Sequence, residues 1–124
     1  ICHGVVLAAR SKNKTNLKSV LWGYKTTALL KRQECLAYQL TRGWMKDYYL
    51  TYPGLTVQDE VTAVLENSTD FISGKNPLFR DSEKKLQHGF ALRDRNYLSA
   101  RWPGDVYSFS KQFIEMIHKT TDTQ

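Results

Sequence analysis

The stretch from which the fold is predicted is residues 1–9, Ile1-Cys2-His3-Gly4-Val5-Val6-Leu7-Ala8-Ala9. No turn residue interrupts the apolar run after Gly4, which predicts a short buried helix directly behind a tight turn. A cysteine at such a corner exposes its sulfur, and the dipole and unpaired amides of the helix N-terminus stabilise its thiolate. These residues therefore suggest a nucleophile elbow with Cys2 as the candidate nucleophile.

His3 follows the candidate nucleophile and could serve it in two ways. Its imidazole is a candidate base for the Cys2 thiol. Its backbone amide could donate to an oxyanion, as one half of an oxyanion hole. The alternative interpretation makes Cys2 a small buried hydrophobe and His3 a partly exposed polar residue, since free cysteines often pack in cores.

The middle of the chain predicts a strand followed by two helices. β-branched and aromatic residues favour a strand at about Tyr24–Ala28. In the helix expected over residues 30–44, one apolar face is formed by Leu36, Ala37, Leu40 and Trp44. Thr56 is the expected N-cap of the next helix, and residues 67–89 are interpreted as a long connection.

The last third of the chain predicts a hairpin and a final helix. Two apolar segments, residues 90–92 and 97–100, flank the polar residues 93–96, which is typical of a β-hairpin. Asp105 is the expected N-cap of the last helix. The buried side of that helix is predicted to consist of Phe109, Phe113, Ile114, Met116 and Ile117.

Three segments, in this order, resemble the ThiJ/PfpI family, relatives of the class I glutamine amidotransferases. They are the Ile1-Cys2-His3-Gly4 elbow, the segment Gly23-Tyr24-Lys25-Thr26-Thr27-Ala28, and the stretch Arg93-Asp94-Arg95-Asn96-Tyr97-Leu98-Ser99-Ala100-Arg101-Trp102-Pro103-Gly104-Asp105. The last resembles the family's hairpin and its turn into the final helix. The sequence departs from the family at Trp102, where many members have Gly, and in the longer connection over residues 42–89.

The resemblance implies an α/β fold, a flavodoxin-like three-layer sandwich with a mostly parallel sheet. Residues 1–124 would then be the C-terminal part of a single domain that begins at the nucleophile elbow. Family members place an acidic residue and a second oxyanion donor beside the cysteine, and no counterpart of either is recognised in this chain. The expected partners are therefore an N-terminal half of the same domain and further copies in a homo-oligomer.

The activity implied by the resemblance is that of a cysteine-dependent hydrolase, or of a glyoxalase- or deglycase-like enzyme. The substrate would be a small carbonyl, amide or peptide compound, with Cys2 and His3 as catalytic residues and no cofactor. The alternative is a non-enzymatic stress-response or redox-sensing protein on the same fold, in which Cys2 is oxidised reversibly.

Composition limits the remaining classes. The chain has 124 residues, 41% of them hydrophobic and 24% charged, which predicts one globular core. The net charge of +6 comes from interrupted basic residues, which favour a solvated basic face over a nucleic-acid site. Two cysteines cannot form the disulfide framework of a small secreted domain, so a cytoplasmic location is expected. No apolar stretch is long enough to span a membrane, so no interaction with a membrane is expected. No two of the three histidines have the spacing of a metal-binding pair, so no metal site is expected.

Overall fold

The computed structural model describes residues 1–50 and 54–121. In these residues the helices are α1 (Val5–Arg10), α2 (Lys31–Met45), α3 (Val57–Ala63) and α4 (Val106–Thr121), and the strands are β1 (Ala91–Asp94) and β2 (Tyr97–Ala100). A 3₁₀ turn, Cys2–Gly4, runs directly into α1, and another, Pro103–Asp105, runs directly into α4.

The core forms where α1 packs against α3. Val5, Val6 and Ala9 of α1 and Val57 and Val61 of α3 are buried there. Residues three and four positions apart lie on one side of a helix, so Ala9 shares its side with Val5 and Val6, and Val61 shares its side with Val57. The predicted short buried helix after Gly4 is confirmed.

The predicted flavodoxin-like three-layer sandwich with a mostly parallel sheet is wrong. In the described residues the sheet has two strands, and β1 and β2 pair antiparallel. The parallel contact that the structure does contain is a single bridge between Thr26 and Phe71. A parallel sheet needs several strands paired over consecutive residues and joined by crossover connections.

The predicted strand around Thr26 is also wrong, and its backbone hydrogen bonds give the reason. The amide of Lys25 donates to the Asp94 carboxylate at 2.8 Å, and the amide of Thr27 donates to the Ser99 hydroxyl at 3.0 Å. Side chains thus occupy the amides on both sides of the bridge at Thr26. Neighbouring amides of an extended segment point to opposite edges, so these two face away from Phe71, and side chains bind them where a further strand would have to pair.

The predicted hairpin is confirmed, with a shorter turn. Asp94 pairs with Tyr97, so the turn consists of Arg95 and Asn96 instead of the four polar residues 93–96. Arg95 has a φ of 55°, in the left-handed region used by two-residue hairpin turns.

The helix predicted over residues 30–44 is confirmed as α2, but its predicted apolar face is exposed. Leu36, Leu40 and Trp44 are 60%, 66% and 73% exposed, respectively. The fully buried residue of α2 is Glu34, whose carboxylate accepts a hydrogen bond of 2.7 Å from the Val57 amide. Glu34, near the start of α2, therefore connects α2 to α3 through a buried hydrogen bond.

Of the two predicted helix caps, one is confirmed and the other is wrong. Thr56 caps α3 as predicted, since its hydroxyl accepts from the Asp59 amide at 3.3 Å. Asp105 does not cap α4. The carboxylate of Asp81, from the long connection, accepts from the amides of Tyr107 and Ser108 at 3.2 and 2.7 Å.

The apolar side predicted for α4 is not a buried face. Phe113, Ile114 and Ile117 are 48%, 54% and 51% exposed, while Phe109 and Met116 are half-buried.

None of the helices in the described part of the chain combines the length and the apolar content that crossing a membrane requires.

Candidate functional site

Cys2 occupies the turn that leads into α1, and its backbone is unusual. Its φ is 57°, in the left-handed region that residues other than glycine seldom adopt. Such a conformation costs about 1–3 kcal/mol and persists only where the surrounding structure imposes it. Cys2 is half-buried and packs against the core cluster that includes α1 and α3.

His3 is exposed, and its side chain lies beside the Cys2 sulfur. The Sγ atom of Cys2 and the Nδ1 atom of His3 are 3.5 Å apart, within the longer range of hydrogen bonds that involve sulfur. Nδ1 can accept a hydrogen bond from the thiol when the imidazole carries its proton on Nε2. The structure therefore brings together the two side chains that the sequence singled out.

The pKa of the Cys2 thiol is raised, opposite to the expectation of a stabilised thiolate. Burial is the largest cause, because it disfavours the charged form. The His3 backbone opposes burial by hydrogen bonding to the sulfur, and the negative charge of Glu34 raises the pKa further. At neutral pH the sulfur is thus a protonated thiol, and a base must remove its proton before it can attack.

Glu34 is the functional candidate that sequence reasoning missed. Its side chain is fully buried, and its charge acts on Cys2, although 32 positions of sequence, residues 2 to 34, separate them. Local spacing carries no signal for it, because the Val57 amide that holds its carboxylate lies 23 positions later in the chain. The apolar spacing of Leu36 and Leu40 drew attention to the opposite, exposed side.

Three buried polar atoms in the described residues have no hydrogen-bond partner. They are the Oγ1 of Thr27, the Oε1 of Gln33 and the Nε1 of Trp102. Gln33 precedes Glu34 on α2, and Trp102 packs against the same core cluster as Cys2. Buried polar groups are rarely left unpaired, so these three atoms are exceptions in the packing around α2 and Trp102.

The arrangement as a whole offers a thiol, an imidazole in contact with it and a buried carboxylate that acts on it electrostatically.

No protein-family model, curated protein or solved structure matches this chain.

Proposed function

We propose that the chain carries a cysteine-dependent catalytic site that acts on a small carbonyl, amide or peptide substrate, in the manner of a hydrolase or a glyoxalase- or deglycase-like enzyme. Cys2 is the nucleophile and His3 its base. The observation that carries the proposal is the 3.5 Å contact between Cys2 Sγ and His3 Nδ1 at a residue with left-handed backbone. A nucleophile within hydrogen-bond reach of its base is the signature of covalent catalysis.

For an ester or amide, the first step forms a bond between Cys2 Sγ and the carbonyl carbon. The thiol proton passes to the His3 imidazole, and the carbonyl oxygen takes up the electron pair as an oxyanion. The His3 backbone amide, which hydrogen-bonds to the sulfur before substrate binds, is the candidate donor to that oxyanion once Sγ is bonded to carbon. When the tetrahedral species collapses, the imidazolium gives its proton to the leaving group, and water then hydrolyses the thioester to an acid and free thiol.

The raised pKa of Cys2 fits this base-assisted route. A thiol held protonated by burial and by Glu34 is inert until His3 takes its proton in the presence of substrate. Glu34 is a positioning residue here, because its carboxylate is held by the Val57 amide and acts on Cys2 through its charge.

The experiment is a burst assay with p-nitrophenyl acetate, a small activated ester. We expect one equivalent of nitrophenolate to be released rapidly and an acetyl group to be found on Cys2 by peptide mass spectrometry. Cys2→Ser should abolish both signals. Cys35→Ser is the matched control, since Cys35 is also a free, half-buried thiol, and it should behave as the wild type.

The role of His3 has its own test. His3→Gln keeps the backbone amide but removes the base, and general bases contribute about 10²–10⁴-fold to rate. We expect acylation of Cys2 to slow by at least that lower factor. Acetylation of Cys35 in place of Cys2, or an unchanged burst in Cys2→Ser, would refute the proposal.

The redox-sensing alternative has weaker support. Peroxide oxidises the thiolate, so sensor cysteines have lowered pKa values. The pKa of Cys2 is raised instead.

The remaining expectations, a cytoplasmic location and the two kinds of partner, belong to the same proposal. Both cysteines are free thiols, which supports a reducing compartment. The exposed apolar side chains of α2 and α4, such as Leu40 and Ile114, support association with an N-terminal half of the domain or with further copies of the chain.

A further inference from the structure

A cleft of about 570 Å³ lies between residues 74–79 and residues 87–90, and Arg101 also lines it. Its volume falls within the range of about 300–1,000 Å³ that is typical of small-molecule sites. The residues of the Cys2 site do not line it. The cleft is therefore a separate candidate site on the chain.

The walls of the cleft are joined by a fully buried ion pair, Arg101 with Asp105, whose side chains are 1% and 0% exposed. The Nε and Nη2 atoms of Arg101 donate to the two carboxylate oxygens at 2.9 and 2.8 Å. Arg101 Nη1 donates to the Lys75 carbonyl on one wall, and Asp105 accepts from the Phe90 amide on the other, at 3.0 Å. The ion pair thus fixes both walls.

Gly74 brings the first wall directly onto Phe90. Its φ is 65°, and a Cβ there would lie 2.9 Å from the Phe90 ring. Only a glycine permits this close approach in this conformation. The cleft is consequently built by specific contacts on both sides.

The guanidinium of Arg101 is bound inside the wall of the cleft. In the described part of the chain it donates to Asp105 through Nε and Nη2 and to the Lys75 carbonyl through Nη1. Its side chain is 1% exposed, so Arg101 holds the wall in place and does not contact a ligand. The exposed side chain of Lys75 is the cation that lines the cleft.

The charges and apolar groups that line the cleft limit which class of ligand it can bind. Asp105 balances the charge of Arg101. No acidic residue among those that the structure describes lines the cleft, and Lys75 supplies a further cation. One unbalanced positive charge suits a monoanion better than a doubly charged phosphate. Phe79 and Phe90 supply apolar surface for the rest of the ligand.

We propose that this cleft binds a small organic monoanion, with its carboxylate held by Lys75 and an apolar or aromatic body packed against Phe79 and Phe90.

The probe is phenylacetate, titrated into the full chain by calorimetry and followed by saturation-transfer NMR. Phenylacetamide has the same shape without the charge, and we expect it to bind at least about tenfold more weakly, because hydrogen bonds to charged groups are roughly twice as strong. Inorganic phosphate should not compete. Equal binding of the two aromatic probes, or displacement of phenylacetate by phosphate, would overturn the proposal.

Two variants locate the site. Lys75 and Phe79 are exposed at the cleft, so Lys75→Gln and Phe79→Ala should fold normally and each weaken phenylacetate binding several-fold. Phe113→Ala, at a comparably exposed aromatic residue of α4, is the matched control and should bind as the wild type. Cys2→Ser should also bind as the wild type, which separates this site from the proposed catalytic one. Unchanged binding by both cleft variants would place the ligand elsewhere and refute the assignment.

Discussion

Replacing Asp105 with Asn should destabilise the fold by about 3–5 kcal/mol, the cost of breaking a buried ion pair by removing one partner. The Asp105 carboxylate accepts four hydrogen bonds, from the Phe90 amide and from the backbone, Nε and Nη2 of Arg101. An asparagine offers one oxygen and turns an NH₂ group toward donors, so two bonds are lost and Arg101 is left buried without its counter-charge. Since both side chains are at most 1% exposed, water cannot compensate.

That loss is a large share of a typical total stability of about 5–15 kcal/mol. Urea unfolding, followed by circular dichroism and tryptophan fluorescence, measures it as a lower midpoint with an unchanged slope. Lys31→Gln is the control, because the Lys31–Asp59 ion pair is 57% and 34% exposed and exposed pairs contribute about 0–1 kcal/mol.

The double variant Arg101→Met, Asp105→Leu should recover only part of the stability. An apolar pair removes the unpaired charge, but it leaves the Phe90 and Arg101 amides and the Lys75 carbonyl without their partners. A change of less than about 1 kcal/mol in Asp105→Asn, similar to an exposed pair, would refute the role given to the buried pair.

Three further predictions follow from contacts elsewhere in the fold. Gly89→Ala should lower the unfolding midpoint in urea, because its Cβ would lie 2.3 Å from the Asp81 carboxylate that caps α4; an unchanged midpoint would show that Asp81 moves without cost. Leu21→Ala should cost about 2–5 kcal/mol in the same assay, since Leu21 is 2% exposed, whereas Leu40→Ala, at 66% exposure, should cost far less. The raised pKa of Cys2 adds stability that is fully present below the ordinary thiol pKa of about 8.5 and is lost as pH rises through the folded-state value; thermal unfolding of Cys2→Ala should therefore show a smaller alkaline decline than the wild type.

Local signals in the sequence predicted local structure well. Thr56 capped α3, the apolar run after Gly4 formed α1, and the hairpin formed between two apolar segments around a polar turn. Each depends on residues within a few positions of one another, where propensity and periodicity act directly.

Long-range contacts were not predictable in the same way. Asp81 caps α4 from 26 positions before Tyr107, and Glu34 is held by Val57 from 23 positions before it. Nothing in local spacing marks such pairs. The parallel sheet failed for the same reason, because the amides around Thr26 bond to side chains that arrive from the hairpin.

The sequence indicated Cys2 and His3 as the candidate site, but it did not indicate that the pKa of the Cys2 thiol is raised. The expectation of a stabilised thiolate considered the helix N-terminus alone. In the structure, burial of the sulfur is the largest effect on the pKa of Cys2, and it outweighs the hydrogen bond from the His3 backbone and the N-terminal positive charge; Glu34 adds a smaller increase.

The central claim is that Cys2 is a protonated thiol that His3 activates. Its most direct test is the rate of Cys2 alkylation by iodoacetamide as a function of pH, read at the peptide level so that Cys35 is scored separately. We predict a midpoint above the ordinary thiol value of about 8.5, and a lower midpoint in Glu34→Gln because the charge that raises the pKa is removed. A midpoint below the ordinary value, with fast alkylation at neutral pH, would contradict the account.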